Sequence, residues 1–434
     1  MASEIRVNQI QSRTGVSTVS FTDSGPIFAG ISTVQGPLTV DGGVTGNVTG
    51  NVTGDVTGDV TGNVTGNVTG NLTGDITSSG TSTFDVISGV STIGVTTVHL
   101  TSINDLNYPT VGPLSNRNLI INGAMQVAQR NTGSTSTGTG YYTVDRWVTG
   151  LGGSGGVTYS QSSDSPQGFG KSFKINVDTA DILSGTEEFY FEQRIEAHNL
   201  QHLKYGDSSA QSVTLSFWVK SYQTGQFSAW FYQPDSARSY FKEYTVNASE
   251  TWEYKTVTIP GDASGNINND NGSGFIARFY IGGGSAREGT VPTDWAPSES
   301  GNRFTSNQVQ LMNNVSNYWA ITGIQLETGS VATPFEHRSY GDELARCQRY
   351  YYDGGQVRQY SAGYSVNARG TGSWINFPVT MRDTANVTQS GITYSGANTA
   401  QVHNASAHGF TSYFISQADN TTWCQFTYVA EKEL

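Results

Sequence analysis

Residues 213–220 read VTLSFWVK, and they alternate without a break. Val213, Leu215, Phe217 and Val219 fall on one side of an extended chain; Thr214, Ser216, Trp218 and Lys220 fall on the other. A period of two built from β-branched and aromatic residues marks a half-buried strand, because successive side chains of a strand point to opposite faces. Residues 227–232 (FSAWFY), 255–259 (KTVTI), 275–281 (FIARFYI) and 319–326 (WAITGIQL) are written in the same style. Polar, glycine-rich turns separate these stretches, which predicts an antiparallel β-sandwich rather than alternating strand–helix units.

Upstream the pattern is different. Residues 44–77 repeat one tetrapeptide: Asn or Asp, then Val (once Leu, once Ile), then Thr, then Gly. Glycine at every fourth position opposes a helix, at about 1 kcal/mol for each interior glycine. Collagen needs glycine at every third position. In an extended chain Val and Gly share one face, a thin apolar stripe that a single chain cannot bury. The repeat therefore predicts an oligomeric fibre shaft. The related pieces GVSTVSF, GISTVQG and GVSTIGVTTV, starting at Gly15, Gly30 and Gly89, extend this style on both sides of it.

Charged residues make up only 13% of the chain while aromatics reach 11%, a mixture that suits many short strands and argues against disorder of the whole. The formal net charge of −12 argues against nucleic acid as a partner, which would need clustered Lys and Arg. There is no apolar run near the roughly 20 residues of a membrane helix, so no membrane insertion is expected. The opening MASEIRVNQIQSRTG has neither a basic start nor an apolar stretch, and no secretory signal is expected. Cys347 and Cys424 are read as small apolar core residues.

One helix is expected. Ser339 can cap it, Asp342 and Glu343 sit in its first turn, and Leu344, Cys347 and Tyr351 follow at helical spacing, with Asp353-Gly354-Gly355 as its stop. Strands resume at 363–366, 373–377, 410–415 and 423–429.

Chemistry is sparse. His198 and His202 stand four apart but lack a third ligand at recognisable distance, and the NINNDNG run at 266–272 has the wrong spacing for a calcium loop; neither predicts a metal. Glu187, Glu188, Glu192 and Glu196 are the nearest thing to a glycosidase pair and are read as exposed solubilising acids. No catalytic residues and no cofactor are expected. Sugar binding would instead use aromatic platforms beside polar donors. Trp230 and Tyr232 share one face of a strand, Trp252 and Tyr254 share a face of another, and Tyr240 is placed in a polar loop with Arg238 and Lys242. These five are the glycan-binding candidates, each in competition with a place in the core. Trp374 is read as core.

Six motifs follow one another in order: NLIINGAMQVAQR at 118–130, YTVDRW at 142–147, TLSFWV at 214–219, GIQLETG at 323–329, ATPFEHR at 332–338 and ELARCQRYY at 343–351. The succession resembles the C-terminal part of bacteriophage tail-fibre proteins, in which a jelly roll similar to the family 4/9 carbohydrate-binding modules precedes a small β-domain; the Val-Thr-Gly repeat is similar to those of cyanophage structural proteins. Carbohydrate-binding modules of that family use carboxylates near two of these motifs for structural calcium, whereas this chain has Ala124-Met125 and Thr322-Gly323 there, so calcium is not expected.

The resemblance implies an all-β organisation: an N-terminal virion-attachment segment (1–43), the shaft (44–77), a second extended segment and linker (78–115), a jelly-roll domain (116–338) and a small C-terminal β-domain with one short helix (339–434). It further implies a homotrimer, with Val48, Val52, Val56, Val60, Val64 and Val68 turned toward the shared axis. The expected function is that of a non-enzymatic tail fibre in the virion, assembled in the host cytoplasm. Its N-terminal region would dock on other tail or baseplate proteins and its later domains would hold a host surface glycan. The alternatives are a purely structural fibre and a fibre that cleaves polysaccharide.

Overall fold

A computed structural model describes residues 115–136, 138–361, 370–416 and 422–434, together with a two-strand hairpin of β1 (Ser102–Ile103) and β2 (Leu106–Asn107). The shaft with its six axis valines, the attachment segment and the strand expected at 363–366 lie outside the described residues.

Two six-stranded antiparallel sheets form a β-sandwich. The first comprises β4 (Val148–Leu151), β7 (Glu188–Glu196), β9 (Gly225–Gln233), β10 (Arg238–Val246), β12 (Ser273–Gly283) and β13 (Ala296–Pro297), in the order β13-β10-β9-β12-β7-β4. The second comprises β3 (Gly133–Ser136), β5 (Gly156–Ser162), β6 (Ser172–Thr179), β8 (Val213–Ser221), β11 (Glu253–Ile259) and β14 (Tyr318–Thr328), in the order β11-β8-β14-β6-β5-β3.

The alternating stretch at 213–220 is β8, and Val213, Leu215, Phe217 and Val219 all enter the core. Thr214 and Ser216 are buried too, because the outer face of β8 is covered: the Thr214 hydroxyl donates to the Gly329 carbonyl at 2.8 Å, beneath the chain that leaves β14.

Residues 118–127 close one end of the sandwich without forming a strand. Asn118 stands in for ladder bonds, accepting from Leu326 N at 3.1 Å and donating to the Ile324 carbonyl at 3.1 Å. Asn122, fully buried, donates to the carbonyls of Val127 and Asp145. Gly123 is required by close approach, since a Cβ there would lie 2.0 Å from the Ile324 carbonyl oxygen.

The helix α1 (Tyr340–Gln348) begins as expected, with the Ser339 hydroxyl accepting from Asp342 N. It ends earlier than expected. Tyr351 already belongs to β15 (Tyr351–Ser361), and Asp353-Gly354-Gly355 is a bulge within that strand. The physical cause is again close approach: a Cβ on Gly354 would meet the Tyr428 ring at 2.0 Å.

Two three-stranded sheets complete the chain. One is β15, β20 (Thr422–Glu431) and β17 (Asn386–Ser395), with β20 central; the other is β16 (Gly370–Asn376), β19 (Gly409–Ser416) and β18 (Ala397–His403), with β19 central. Their core holds Phe377, Phe410, Phe414 and Phe426. Cys424 belongs to it, and Cys347 is buried on α1; both thiols are free. Trp374 is not core: it is 47% exposed, on the outer face of β16.

The two bodies belong to one compact unit and are tied by buried ion pairs. Arg349 donates to both oxygens of Glu196, at 3.0 and 2.9 Å. Arg146, 1% exposed, is paired with Glu433 and lies 3.4 Å from the Tyr350 ring centre. Glu192 and Glu196, expected on the surface, are fully buried. Among the described residues no helix is long and apolar enough to cross a membrane.

Candidate functional site

The outer face of the first sheet follows from strand parity. On β9, Phe227, Ala229 and Phe231 point into the core and Ser228, Trp230 and Tyr232 point out; on β12, Phe275, Ala277 and Phe279 point in and Ile276, Arg278 and Tyr280 point out. Register then sets Phe241, Trp230, Arg278 and Glu192 in one row across β10, β9, β12 and β7. The chain that returns from β13 crosses this face. Its Phe304 packs on Tyr280, with ring centres 5.2 Å apart, and its Arg303 lies 4.2 Å from the Trp230 ring centre. Trp230, Phe241, Tyr280 and Phe304 thereby form a small apolar cluster of their own, outside the main core.

Beside that cluster opens a cleft of about 530 Å³, walled by Trp230, Tyr232, Pro234 and Ile276 and by Arg278 and Arg303. Trp230 and Tyr232 are stacked, 5.2 Å apart and 14° from parallel. Trp230 is only 3% exposed, held between Tyr232 and Arg303, so Tyr232, half-buried, is the reachable member of the pair. The Arg278 guanidinium sits 3.7 Å from the Tyr190 ring centre and 4.9 Å from that of Trp230, and its Nε donates to Glu192 at 2.6 Å. Cation–π contact and ion pairing together fix it in place. Three polar atoms on the wall of the cleft are buried without a hydrogen-bond partner in the protein: Trp230 Nε1, Ser273 Oγ and Arg303 Nε. Buried polar atoms in folded proteins are nearly always paired, with protein or with water. An aromatic shelf beside fixed donors can hold a ring whose face is apolar and whose rim carries oxygens.

The five sequence candidates fall in three places. Trp230 and Tyr232 share the cleft. Trp252 and Tyr254 lie on the outer face of the second sheet, the opposite side of the sandwich: the Trp252 indole donates to Asp164 at 3.1 Å, and Tyr254, 45% exposed, packs against Trp218. Tyr240 is in no loop. It lies in β10, paired with Phe231, and is buried against Trp295. Its polar neighbours misled: Arg238 is ion-paired to Asp262 at 2.6 Å, and only Lys242 is exposed.

Arg278, Arg303 and Ser273 were not among the candidates. The arginine inside the apolar run FIARFYI carried a signal, since its parity sets it opposite the core with Trp230. Arg303 carried none, because a crossing loop delivers it. A larger cavity of about 810 Å³, between the sandwich end and α1, is lined by Asn116, Asn118, His202, Lys204 and Arg346 and by no Trp, Tyr or Phe. Among the described residues no group of three or more His, Cys, Asp or Glu is placed to hold a metal.

No protein family and no curated protein matches the sequence. Solved structures resemble the fold at low scores, and three of them serve as examples. The enzymatically active domain of bacteriophage CBA120 tailspike protein 4 matches with TM-score 0.28 and 13% identity, over 51% of this chain and 24% of that one. The carbohydrate-binding module TmCBM61, solved with β-1,4-galactotriose, matches with TM-score 0.24 and 13% identity, over 49% and 99%. The family 11 carbohydrate-binding module of Clostridium thermocellum, solved with a β-1,3-1,4-mixed-linked tetrasaccharide, matches with TM-score 0.23 and 14% identity, over 44% and 91%. This chain thus spans about a quarter of the tailspike domain. No function passes from these neighbours to this chain on such values.

Proposed function

We propose that this chain is a tail-fibre protein of a phage virion that holds a host surface glycan in the first-sheet cleft. The observation that carries the reading is the Trp230–Tyr232 stack at a cleft with unpartnered buried donors on its wall. Tyr232 supplies a face for the apolar side of a pyranose ring, and the arginines that line the cleft, Arg194 foremost in exposure, supply donors for its oxygens. The tail-fibre part of the reading rests on the ordered motifs and on the tetrapeptide repeat. The sandwich is the jelly roll of the resemblance, and the repeat region is the shaft of a homotrimer whose N-terminal segment docks on the tail. Three copies of a weak site on one fibre add avidity without any new contact.

The cleft binds and does not cleave. Glycoside hydrolysis needs one carboxyl to give a proton and another to act as nucleophile or base. Glu188 and Glu192, the carboxylates beside the cleft, are each held by two or more arginines, and Glu192 is fully buried.

The test is a glycan array of bacterial envelope polysaccharides probed with the full-length chain, followed by a reducing-sugar assay on each polysaccharide bound. Binding without sugar release is expected. Release would make the chain a depolymerase, and an array without any binding would leave a purely structural fibre.

A further inference from the structure

The cleft carries more positive charge than its own carboxylates balance. Three guanidiniums line it, those of Arg194, Arg278 and Arg303, and together with Arg287 beside them they are ion-paired to two carboxylates, Glu188 and Glu192. On a chain of formal net charge −12 this is a local reversal of sign.

The shortfall falls on Arg303. Glu192 is taken by Arg278 at 2.6 Å and Arg194 at 2.9 Å, and Glu188 by Arg287 at 2.8 Å and Arg278 at 3.3 Å. Arg303 comes no closer than 3.8 Å to a carboxylate, although its side chain is only 14% exposed. Its Nη1 donates to the Ser298 hydroxyl at 3.1 Å, while its Nε has no hydrogen-bond partner. Burial pushes its pKa below the ordinary arginine value; Tyr280 and Glu188 oppose that, and repulsion from Arg278 and Arg287 adds to it. A mostly buried cation without a close counter-ion is costly to maintain. Trp230 and Ser273, whose indole Nε1 and hydroxyl are buried without a hydrogen-bond partner in the protein, line the same cleft. A negatively charged group in the cleft supplies the close counter-ion that Arg303 lacks. A neutral sugar hydroxyl leaves the charge of Arg303 unmatched.

From this arrangement we infer that the ligand is an anionic saccharide, bearing a carboxylate or a sulfate ester, with Arg303 as its counter-ion. The inference rests on the cleft being the glycan site and narrows the class of glycan it takes.

Titration calorimetry of the full-length chain tests it. The probes are uronate oligosaccharides and sulfated oligosaccharides, each beside its neutral counterpart made by carboxyl reduction or desulfation. In at least one pair the charged member binds about tenfold or more tighter, as a hydrogen bond to a charged group implies. That gap narrows as salt is raised from about 0.01 M to about 1 M. The pair that responds identifies the anion as carboxylate or sulfate. Arg303→Gln weakens the charged ligand by about 10- to 100-fold and leaves the melting temperature unchanged or higher, because it removes a repelled charge. Should Arg303→Gln not fold, the comparison of charged with neutral partners on the wild-type chain, and its salt dependence, carries the test. Equal binding of charged and neutral partners, or preference for the neutral one, overturns the inference and leaves the glycan-binding reading standing. Binding of neither kind overturns both.

Discussion

Phe217 shows how much one residue position can fix. It is fully buried and makes edge contacts with Tyr244 and Phe279, at 4.9 and 5.0 Å between ring centres, so it joins its own sheet to the facing one. Phe217→Ala is expected to cost about 3–5 kcal/mol in urea unfolding, the range for a buried aromatic truncation. Asp145 offers a test of sign. Its carboxyl is buried, and burial outweighs the Gln129 hydrogen bonds and nearby Arg130 to push its pKa from 3.8 up to about 6. Between about pH 4 and 6 the folded chain therefore holds a proton that the unfolded chain has lost. Its contribution makes stability fall as pH rises through that window, by about 3 kcal/mol in all. Asp145→Asn cannot ionise, so the stability of wild type relative to this variant should decline between pH 4 and 6 and stay level above; a flat difference across the window rules the shift out. At this scale alternation was the readable signal, and it placed Phe217 and the outward pair of Trp230 and Tyr232. Burial of charge was not readable. Glu192 and Glu196 look like surface acids in the sequence because Arg278 and Arg349 reach them from distant parts of the chain, although Arg194, which also pairs with Glu192, stands two residues along the same strand.

Among elements, long alternating strands could be read, whereas ends and crossings could not. The start of α1 was legible because its cap is local, Ser339 to Asp342. Its end was not, because Gly354 answers to Tyr428 from a strand more than 70 residues away rather than to a helix terminus. The motifs that carry the family resemblance prove to be largely architectural. Asn118 bonds β14, Glu336 accepts from the backbone of Arg117 and Asn118, and Arg338 donates to the carbonyls of Asn118 and Ile120. They knit the sandwich end to α1 and are remote in kind from the aromatic cleft. The same seam depends on Glu433, the partner of fully buried Arg146. Glu433→Ala should destabilise the chain by about 3–5 kcal/mol, since it strands a buried charge. Unfolding by denaturant with the variant within 1 kcal/mol of wild type, roughly the median of an exposed pair, would show that the seam is solvated instead.

On the scale of the whole molecule, the proposed function assigns reach and copy number to the repeat and discrimination to the domains after residue 115. The tetrapeptide repeat is written mostly in small side chains, so the proposed function lays selectivity on the later loops and clefts. Light scattering of the full-length chain should give three copies per particle, and replacing alternate repeat valines with Asp should break that assembly. A monodisperse monomer contradicts the shaft. The two candidate aromatic surfaces, on opposite faces of one sandwich, allow the binding claim to be localised. A glycan selected from the array is titrated into wild type, Tyr232→Ala and Tyr254→Ala, each checked for unchanged melting. The cleft as binding site predicts that Tyr232→Ala weakens binding by about tenfold or more, the worth of about 1.4 kcal/mol, while Tyr254→Ala leaves the dissociation constant unchanged. Loss of binding in Tyr254→Ala with none in Tyr232→Ala would contradict it and move the site to the second sheet.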